Sequence, residues 1–580
     1  MIIRALVDYY ESLAKQGKIV KPGWSVAKIA YALNISPQGE LLGIFTLLKD
    51  EQRGKKTVKV PQNLVMPEGT KRSSGVAAQF LWDNAHYVLG IDEEGKEIRA
   101  KQCFFATREK TEQVLQNANG KIALALKAFF ANWNPDTAKD NLILKPYIEE
   151  LMGASNITFR IEGTYAHEDV EIIAAWNVYR TSQSGDKQAV CMVTGQKAPI
   201  ARLHPNIKGV KGAQSSGAAL VSFNAPSFES YGHEQGMNAA IGEYAAFAYT
   251  TALNMMLADR SHYSQIGDTT IVFWAEDDLE DNTDFFDELI NDKIEIKQKD
   301  LQELFASINS GNSIRFNDKL LQPSNKFYIL GLSPNAARVS VRFFLANTFG
   351  YFLQNITCFY QRLEIVKPSY DKKETLPLWQ ILQETANKNS KDKSATTLLA
   401  GSVMRSFLSG SELPVALFQN IILRVKADQD NPDKFISKVS RIKAAIIKAY
   451  LIRNEKRDVT VGLEFTRKNK AYILGRLFAV LEHLQESANP GINSTIKDRY
   501  FNAACATPGI IFPVLMRLAR SHQKKLSAQK GMVISFEKDI THLLCAIDEM
   551  PNRLALVEQG EFILGYYHQL QYRYTKKEEK

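Results

Sequence analysis

Three groups of residues in this sequence have types and spacing that bear on chemistry. The first is Gly212-Ala-Gln-Ser-Ser-Gly217, which has the glycine spacing of a phosphate-gripping loop. In such a loop Lys and Ser or Thr follow, reaching phosphate and magnesium. Here Ala218 and Ala219 follow, and the apolar run comes after the loop, not before it, so nucleotide hydrolysis is rejected. Ala213-Gln-Ser-Ser-Gly217 loosely imitates a nucleophile elbow, but the required strand-turn-helix context is missing. The second group is Cys191 and His204, which share a loop region without a second cysteine pair at zinc-finger spacing. The third is the acidic run at 276–288: Glu276-Asp-Asp-Leu-Glu-Asp281 with Asp284, Asp287 and Glu288. Such a run can hold magnesium in a nuclease. It is more often a solvated turn entering a helix N-terminus, where the backbone dipole favours carboxylates. A metal-dependent nuclease using Asp277 and Asp278 is therefore the enzymatic alternative, and no catalytic residue, metal or cofactor is expected.

Polar loops offer a different chemistry. Lys71, Arg72, Ser73, Ser74 and Gln79 precede an aromatic-rich segment. Arg and Lys bond guanine edges, Gln bonds adenine and Ser either. Lys208 and Lys211 flank a Gly-rich loop that carries Gln214, Ser215 and Ser216. Arg338 and Arg342 follow a strand, and Arg517, Arg520 and Lys524 fall at i, i+3, i+7 on one helix face. These cations suit a nucleic-acid backbone. Each pair alone reads as solvated surface charge; together, on loops rich in Gly and Ser, they point to binding.

The elements that must position these groups follow from periodicity. Residues 1–18 read as an amphipathic helix, and 24–33 suit either a strand or a helix. Residues 41–48 and 57–61, joined by a charged turn, have hairpin patterning. Residues 101–131 look helical and 157–161 strand-like. The stretch 191–257 packs Gly, Ser, Asn and Gln between apolar elements and ends in an apolar helix starting at Asn238. Loops this long inside compact domains are usually functional or disordered. Residues 269–274 and 327–332 read as strands, and 343–363 as helix. A Pro-bearing charged segment at 367–377 marks a boundary, after which strand signals vanish. Ile473, Leu477, Val480, Leu481 and Leu484 form one face of a helix over 469–488. Helices follow near 510–528, 535–548 and 553–571.

The expected class is α+β: a mixed α/β part over 1–370, with a possible break near 150–190, a helical connection over 371–455, and a helical bundle over 456–580. A net charge of +9 on 580 residues permits a polyanionic partner without demanding one. No apolar run reaches the ~18 residues of a membrane span, and the first residues lack the pattern of a signal peptide. Five scattered cysteines fit reduced thiols in a cytoplasm.

Five blocks, in order, carry a resemblance. They are Lys71-Arg-Ser-Ser-Gly with Phe80-Leu-Trp-Asp-Asn; Cys191-Met-Val-Thr-Gly through Gln235-Gly-Met-Asn; Val272-Phe-Trp-Ala-Glu; Leu332-Ser-Pro-Asn-Ala-Ala-Arg-Val-Ser-Val-Arg-Phe; and Tyr472-Ile-Leu-Gly-Arg-Leu-Phe-Ala-Val-Leu-Glu. The chain thereby resembles the large subunit of the type I-C CRISPR Cascade over nearly its whole length. The resemblance implies a non-catalytic subunit at the 5′ end of a CRISPR RNA. Its partners would be the backbone and 5′-handle-binding subunits, small subunits and a helicase-nuclease. It would read the protospacer-adjacent motif (PAM) on double-stranded DNA and help open the duplex, leaving the remaining sequence to base pairing. It also implies a separately made C-terminal small subunit starting near Val459 or Val461, whose helices at 469–571, with the stripe Arg517, Arg520, Lys524, would touch the displaced strand. Against this background residues 71–79 and the loop at 208–216 are the PAM-reading candidates, and Arg338, Arg342, Arg517, Arg520 and Lys524 the backbone contacts.

Overall fold

The computed structural model describes residues 1–53, 56–70, 75–92, 96–153, 155–182, 188–277, 280–294, 299–300, 303–304, 307, 313–389, 397–431, 433 and 435–578. Its contacts divide the chain into two units, Met1–Pro205 with Ser222–Ala252, and Asn206–Val221 with Leu253–Lys580.

In the first unit the 24–33 segment resolves into two strands, β1 (Trp24–Ile29) and β2 (Tyr31–Ile35). β3 (Leu41–Thr46), β4 (Leu48–Arg53) and β5 (Lys56–Pro67) follow. A hairpin forms, but between β4 and β5: residues 49–53, expected within a charged turn, are strand, and β3, the expected partner of 57–61, pairs with β2 instead. β5 is long enough to pair with β1 as well. β6 (Ile157–Ile161) lies parallel to β2, and β7 (Thr164–Tyr165) completes a sheet of order β3-β2-β6-β7. Alternation sends Leu33, Ile35, Phe159 and Ile161 into the core. There Phe159 meets Phe129 and Phe130 edge-on at 5.4 and 5.5 Å. Each such pair adds about 0.5–1.5 kcal/mol beyond area burial. The helix expected over 101–131 is two helices, Glu97–Val114 and Lys121–Asn132. Asn119-Gly120 breaks it, and the Lys127 ammonium donates to the carbonyls of Leu115 (3.1 Å) and Ala118 (2.7 Å), satisfying the end of the first helix. A small hairpin, β8 (Gln188–Val190) with β9 (Lys197–Pro199), frames Cys191.

The apolar helix begins at Glu243, not at Asn238. The Asn238 amide is used elsewhere: it accepts from the Ser230 amide and donates to the carbonyls of His233 and Gln235, stitching the preceding polar turn.

The second unit is built on the antiparallel sheet β10-β11-β14-β15. β10 is Tyr263–Ile266, and β11, Thr269–Ala275, is buried at every position, as an apolar run predicts. β12 (Ile314–Phe316) and β13 (Lys319–Leu321) form a side hairpin. β14 (Lys326–Asn335) and β15 (Arg338–Thr348) form the longest pair, with a bulge between Gly331 and Leu332. The residues expected as helix from 343 are strand as far as Thr348. The run Phe343-Phe344-Leu345 has no period of its own, and Val339 and Val341 before it favour a strand. The helix starts at Phe349, where the Thr348 hydroxyl accepts from the Tyr351 amide.

Beyond Thr348 the described residues are helical or irregular. The helix Lys470–Ala488 is buried almost all round, not on one face. It crosses the helix Leu556–Glu578 at two glycines. A Cβ on Gly475 would collide with the Phe562 carbonyl oxygen, and one on Gly565 with that of Tyr472. Close backbone approach of this kind needs glycine. The α+β class therefore holds, a mixed α/β part followed by helices.

Burial here includes charge. Lys448, 2% exposed, donates to the Arg362 carbonyl at 3.2 Å, and burial holds its pKa down to about 8. Its folded pKa lies below the unfolded value near 10.5, so the unfolded chain binds more protons between those values. Stability then rises as pH climbs from about 8 to 10.5. Lys448→Met is expected to raise stability at pH 7 by about 1–3 kcal/mol. It should also flatten that alkaline rise, as read by urea midpoints at a series of pH values.

Candidate nucleic-acid interface

The Gly-rich loop is an ordered excursion with its ends tied together. Ile207 and Ala218 exchange both backbone hydrogen bonds at 2.9 Å, and Ile207, Val210 and Ala218 are buried. The Asn254 carboxamide grips the loop from the following helix, accepting from the Lys208 amide at 2.7 Å and donating to the Asn206 carbonyl at 3.0 Å. Gly209 and Gly217 have φ of +87° and +94°, a region that side chains disfavour. Gly217 is also crowded by Asn206 and the stem of Lys208. With the apolar residues turned in, Lys208, Lys211, Gln214, Ser215 and Ser216 are all exposed.

Not every backbone amide of this loop is available to an anion. Those of Lys208, Lys211, Ala213 and Gly217 donate within the fold. Those of Gln214, Ser215 and Ser216, at the exposed tip, have no partner among the described residues.

The turn between β14 and β15 packs against the loop. The amide of Ala219 donates to the Ala337 carbonyl, that of Val339 donates to the Ala219 carbonyl, and Ala219 bridges Arg338. Pro334 lies 3.2 Å from where a Cβ on Gly212 would sit. Arg338 therefore joins Lys208, Lys211 and the polar tip at one place. Arg342, four residues along the strand, pairs with Asp268 at 3.3 Å, so part of its charge is neutralised within the protein. Arg517, Arg520 and Lys524 lie apart from these, on the helix Pro508–Lys525. That helix buries Phe512, Leu515 and Ala519 and leaves the three cations exposed, none with an ion-pair partner among the described residues.

The first unit holds the other candidate segment. Lys71, Arg72, Ser73 and Ser74 lie outside the described residues. Gln79 is half-buried, its carbonyl oxygen turned back over Gly69. The Lys110 ammonium binds both Thr70 Oγ1 and the Ala78 carbonyl at 3.1 Å, which clasps the two ends of this segment. Spacing alone does not reveal this clasp, nor the grip of Asn254 on the central loop.

The acidic run is occupied by the fold. Glu276 accepts from Tyr328 (2.8 Å) and Lys326 (3.2 Å), and Asp277 from Asn325. Asp281 accepts from the Leu320 amide, Asp287 from Lys293 and Asn291, and Glu288 from Lys319. Asp278 lies outside the described residues. Burial, opposed by Lys319 and reinforced by neighbouring carboxylates, holds Asp284 above its usual range. Cys191 accepts from the Gly242 amide, while His204 Nδ1 faces the Tyr249 hydroxyl at 2.8 Å. Burial alone would raise the Cys191 thiol. Hydrogen bonds from Thr194, Gly242 and Val193 outweigh it and hold the thiol below its usual range. Among the described residues no three His, Cys, Asp or Glu side chains gather as a metal site.

Comparison with protein families matches residues 6–574 to CRISPR-associated protein (Cas_Csd1). The chain belongs to the Cas_Csd1 family. No curated protein matches it. In this Cas_Csd1 chain the loop beside half-buried Arg338 and the exposed helix stripe are basic surfaces of the second unit. No helix among the described residues is long and apolar enough to cross a membrane.

Proposed function

We propose that this chain is the non-catalytic DNA-recognition subunit of a cytoplasmic RNA-guided surveillance complex of the type I-C Cascade kind. It reads the PAM on double-stranded DNA, promotes opening of the duplex, and docks the helicase-nuclease. The observation that carries the reading is the loop Asn206–Val221, which gathers Lys208, Lys211, Gln214, Ser215 and Ser216 beside Arg338. Cations set position on phosphates, while Gln and Ser at the tip suit base edges. Membership of a CRISPR-associated family supplies the context. The CRISPR RNA, the backbone and 5′-handle-binding subunits and the small subunits complete the assembly. The stripe Arg517, Arg520, Lys524 is suited to the displaced strand.

The test is assembly of the RNA-containing complex with and without this chain. Binding is then measured to matched duplexes carrying a randomised flanking triplet. Enrichment of a few triplets only when the chain is present is the expected result. Equal binding to all triplets would reduce the chain to a scaffold.

A further inference from the structure

The sheet β3-β2-β6-β7 has two unlike faces. One is filled by Phe129, Phe130 and Phe159. The other is covered at one end, where buried Thr158 donates to the Leu81 carbonyl. Toward its other end a row of residues crosses all four strands. Register places Gly43 opposite Asn34, Asn34 beside Arg160, and Arg160 opposite Tyr165. Phe45, two residues from Gly43 and 42% exposed, reaches over this row. The Arg160 guanidinium sits 4.4 Å from the Phe45 ring centroid and 5.7 Å from that of Tyr165. Its Nε donates to the Gly163 carbonyl at 3.2 Å, which fixes the guanidinium in place.

What this row lacks is a set of partners. No carboxylate pairs with Arg160 among the described residues, and the Asn34 carboxamide and Tyr165 hydroxyl make no hydrogen bond there. A Cβ on Gly43 would meet nothing within 4 Å, so the floor beside Phe45 is open. His167, 8% exposed and with Nδ1 unpartnered, stands 5.6 Å from Tyr165. A purely structural face would show these polar groups paired or solvated singly. Here a flat ring, a fixed unpaired guanidinium, a free carboxamide and a glycine floor lie side by side.

We propose that this end of the sheet holds an unpaired nucleobase of a single-stranded nucleic acid, stacked against Phe45 and Arg160 with Asn34 at its hydrogen-bonding edge. Open sheets bind unpaired bases by aromatic and guanidinium stacking in this way. A carboxamide is the side chain that meets a base edge with both a donor and an acceptor. The unpaired charge of Arg160 complements the adjacent phosphate. The strand is either a guide RNA or a displaced DNA strand, which share this chemistry. The site lies wholly in the first unit, so it stands or falls apart from the loop at 208–216.

The full chain is titrated into fluorescein-labelled single-stranded RNA and DNA of the same sequence, roughly 12 nucleotides long. Phe45→Ala is expected to weaken binding by about 5- to 100-fold, the effect of losing one stacked base. Phe45→Tyr should restore it, and Asn34→Ala should narrow the spread of affinities among homopolymers. Because Phe45 is exposed, its melting temperature serves as a control and should not change. A loss on RNA alone assigns the site to the guide, and a loss on DNA alone to the displaced strand. The proposal is overturned by unchanged binding of Phe45→Ala to both strands, or by no single-strand binding at all. It is equally overturned if Phe45→Ala loses only a protein subunit during assembly of the complex.

Discussion

Glu561→Ala is expected to destabilise the second unit by about 3–5 kcal/mol, the usual effect of removing one member of a buried ion cluster. Glu561 is 0% exposed. Arg467 grips it with two bonds of 2.9 and 3.0 Å, and Arg457 adds a third at 3.1 Å. The Arg467 side chain is itself only 10% exposed, so the mutation leaves a guanidinium with little access to water and only the longer pair with Glu464 at 3.3 Å among the described carboxylates. Both arginines lie in the connection between the helices Arg441–Arg453 and Lys470–Ala488. The cluster thus ties this connection to the last helix. Glu561→Gln keeps the shape and one acceptor oxygen, and should fall between alanine and the native residue. Urea denaturation checks both: the midpoint should drop with the slope unchanged. A C-terminal product starting near Val459 or Val461 would keep the bidentate pair with Arg467 and lose Arg457. Arg457→Ala should therefore cost much less than Glu561→Ala, since its side chain is 33% exposed and the two strongest bonds remain.

This cluster also shows where reading the sequence stops. Strand and helix order was legible where one signal dominated: β11 lies where an unbroken apolar run put it and the helix at 470–488 where a 3.6-residue repeat did, whereas the charged residues 49–53, which read as a turn, form most of β4. The errors fall where a polar residue is recruited by a distant partner or where an aromatic run has no period. Asn238 was free to start a helix by local rules, and a turn claimed it. Phe343–Leu345 suited a helix until β14 supplied the neighbouring strand. Burial of Glu561, Lys448 and Arg476 contradicts the usual exposure of charge, and a single sequence cannot reveal which distant charges will meet. At the candidate interface the exposed cations were legible by type. Their grouping was not: nothing in the spacing of residue 211 and residue 338 brings them together. The bridge at Ala219 and the bulged β14–β15 pair do that.

Replacing Lys208, Lys211 and Arg338 together by alanine is expected to weaken duplex binding by the assembled complex about 100-fold. The figure assumes about 1 kcal/mol for each charge-assisted contact. If each cation meets one phosphate, the log–log slope of affinity against salt should become shallower by about 2.7, near 0.9 per contact. Gln214→Ala with Ser215→Ala is expected to do the reverse: the slope stays, and the ranking of flanking triplets changes, because these side chains address base edges. Arg342→Ala does not serve as a control for generic charge. It frees the Asp268 carboxylate from its pair, so any loss there includes new repulsion of phosphate and does not measure a contact. The triple Arg517→Ala, Arg520→Ala, Lys524→Ala supplies the other comparison. It should also flatten the salt dependence, with triplet ranking intact, since in the proposed reading that helix meets the displaced strand and not the flanking duplex. If the loop triple alters neither slope nor affinity, Lys208, Lys211 and Arg338 are solvated surface charge, and PAM reading must lie outside the second-unit loop. A change in slope with unchanged ranking in the Gln214–Ser215 double variant would leave the loop as a phosphate clamp and place base recognition on the segment clasped by Lys110.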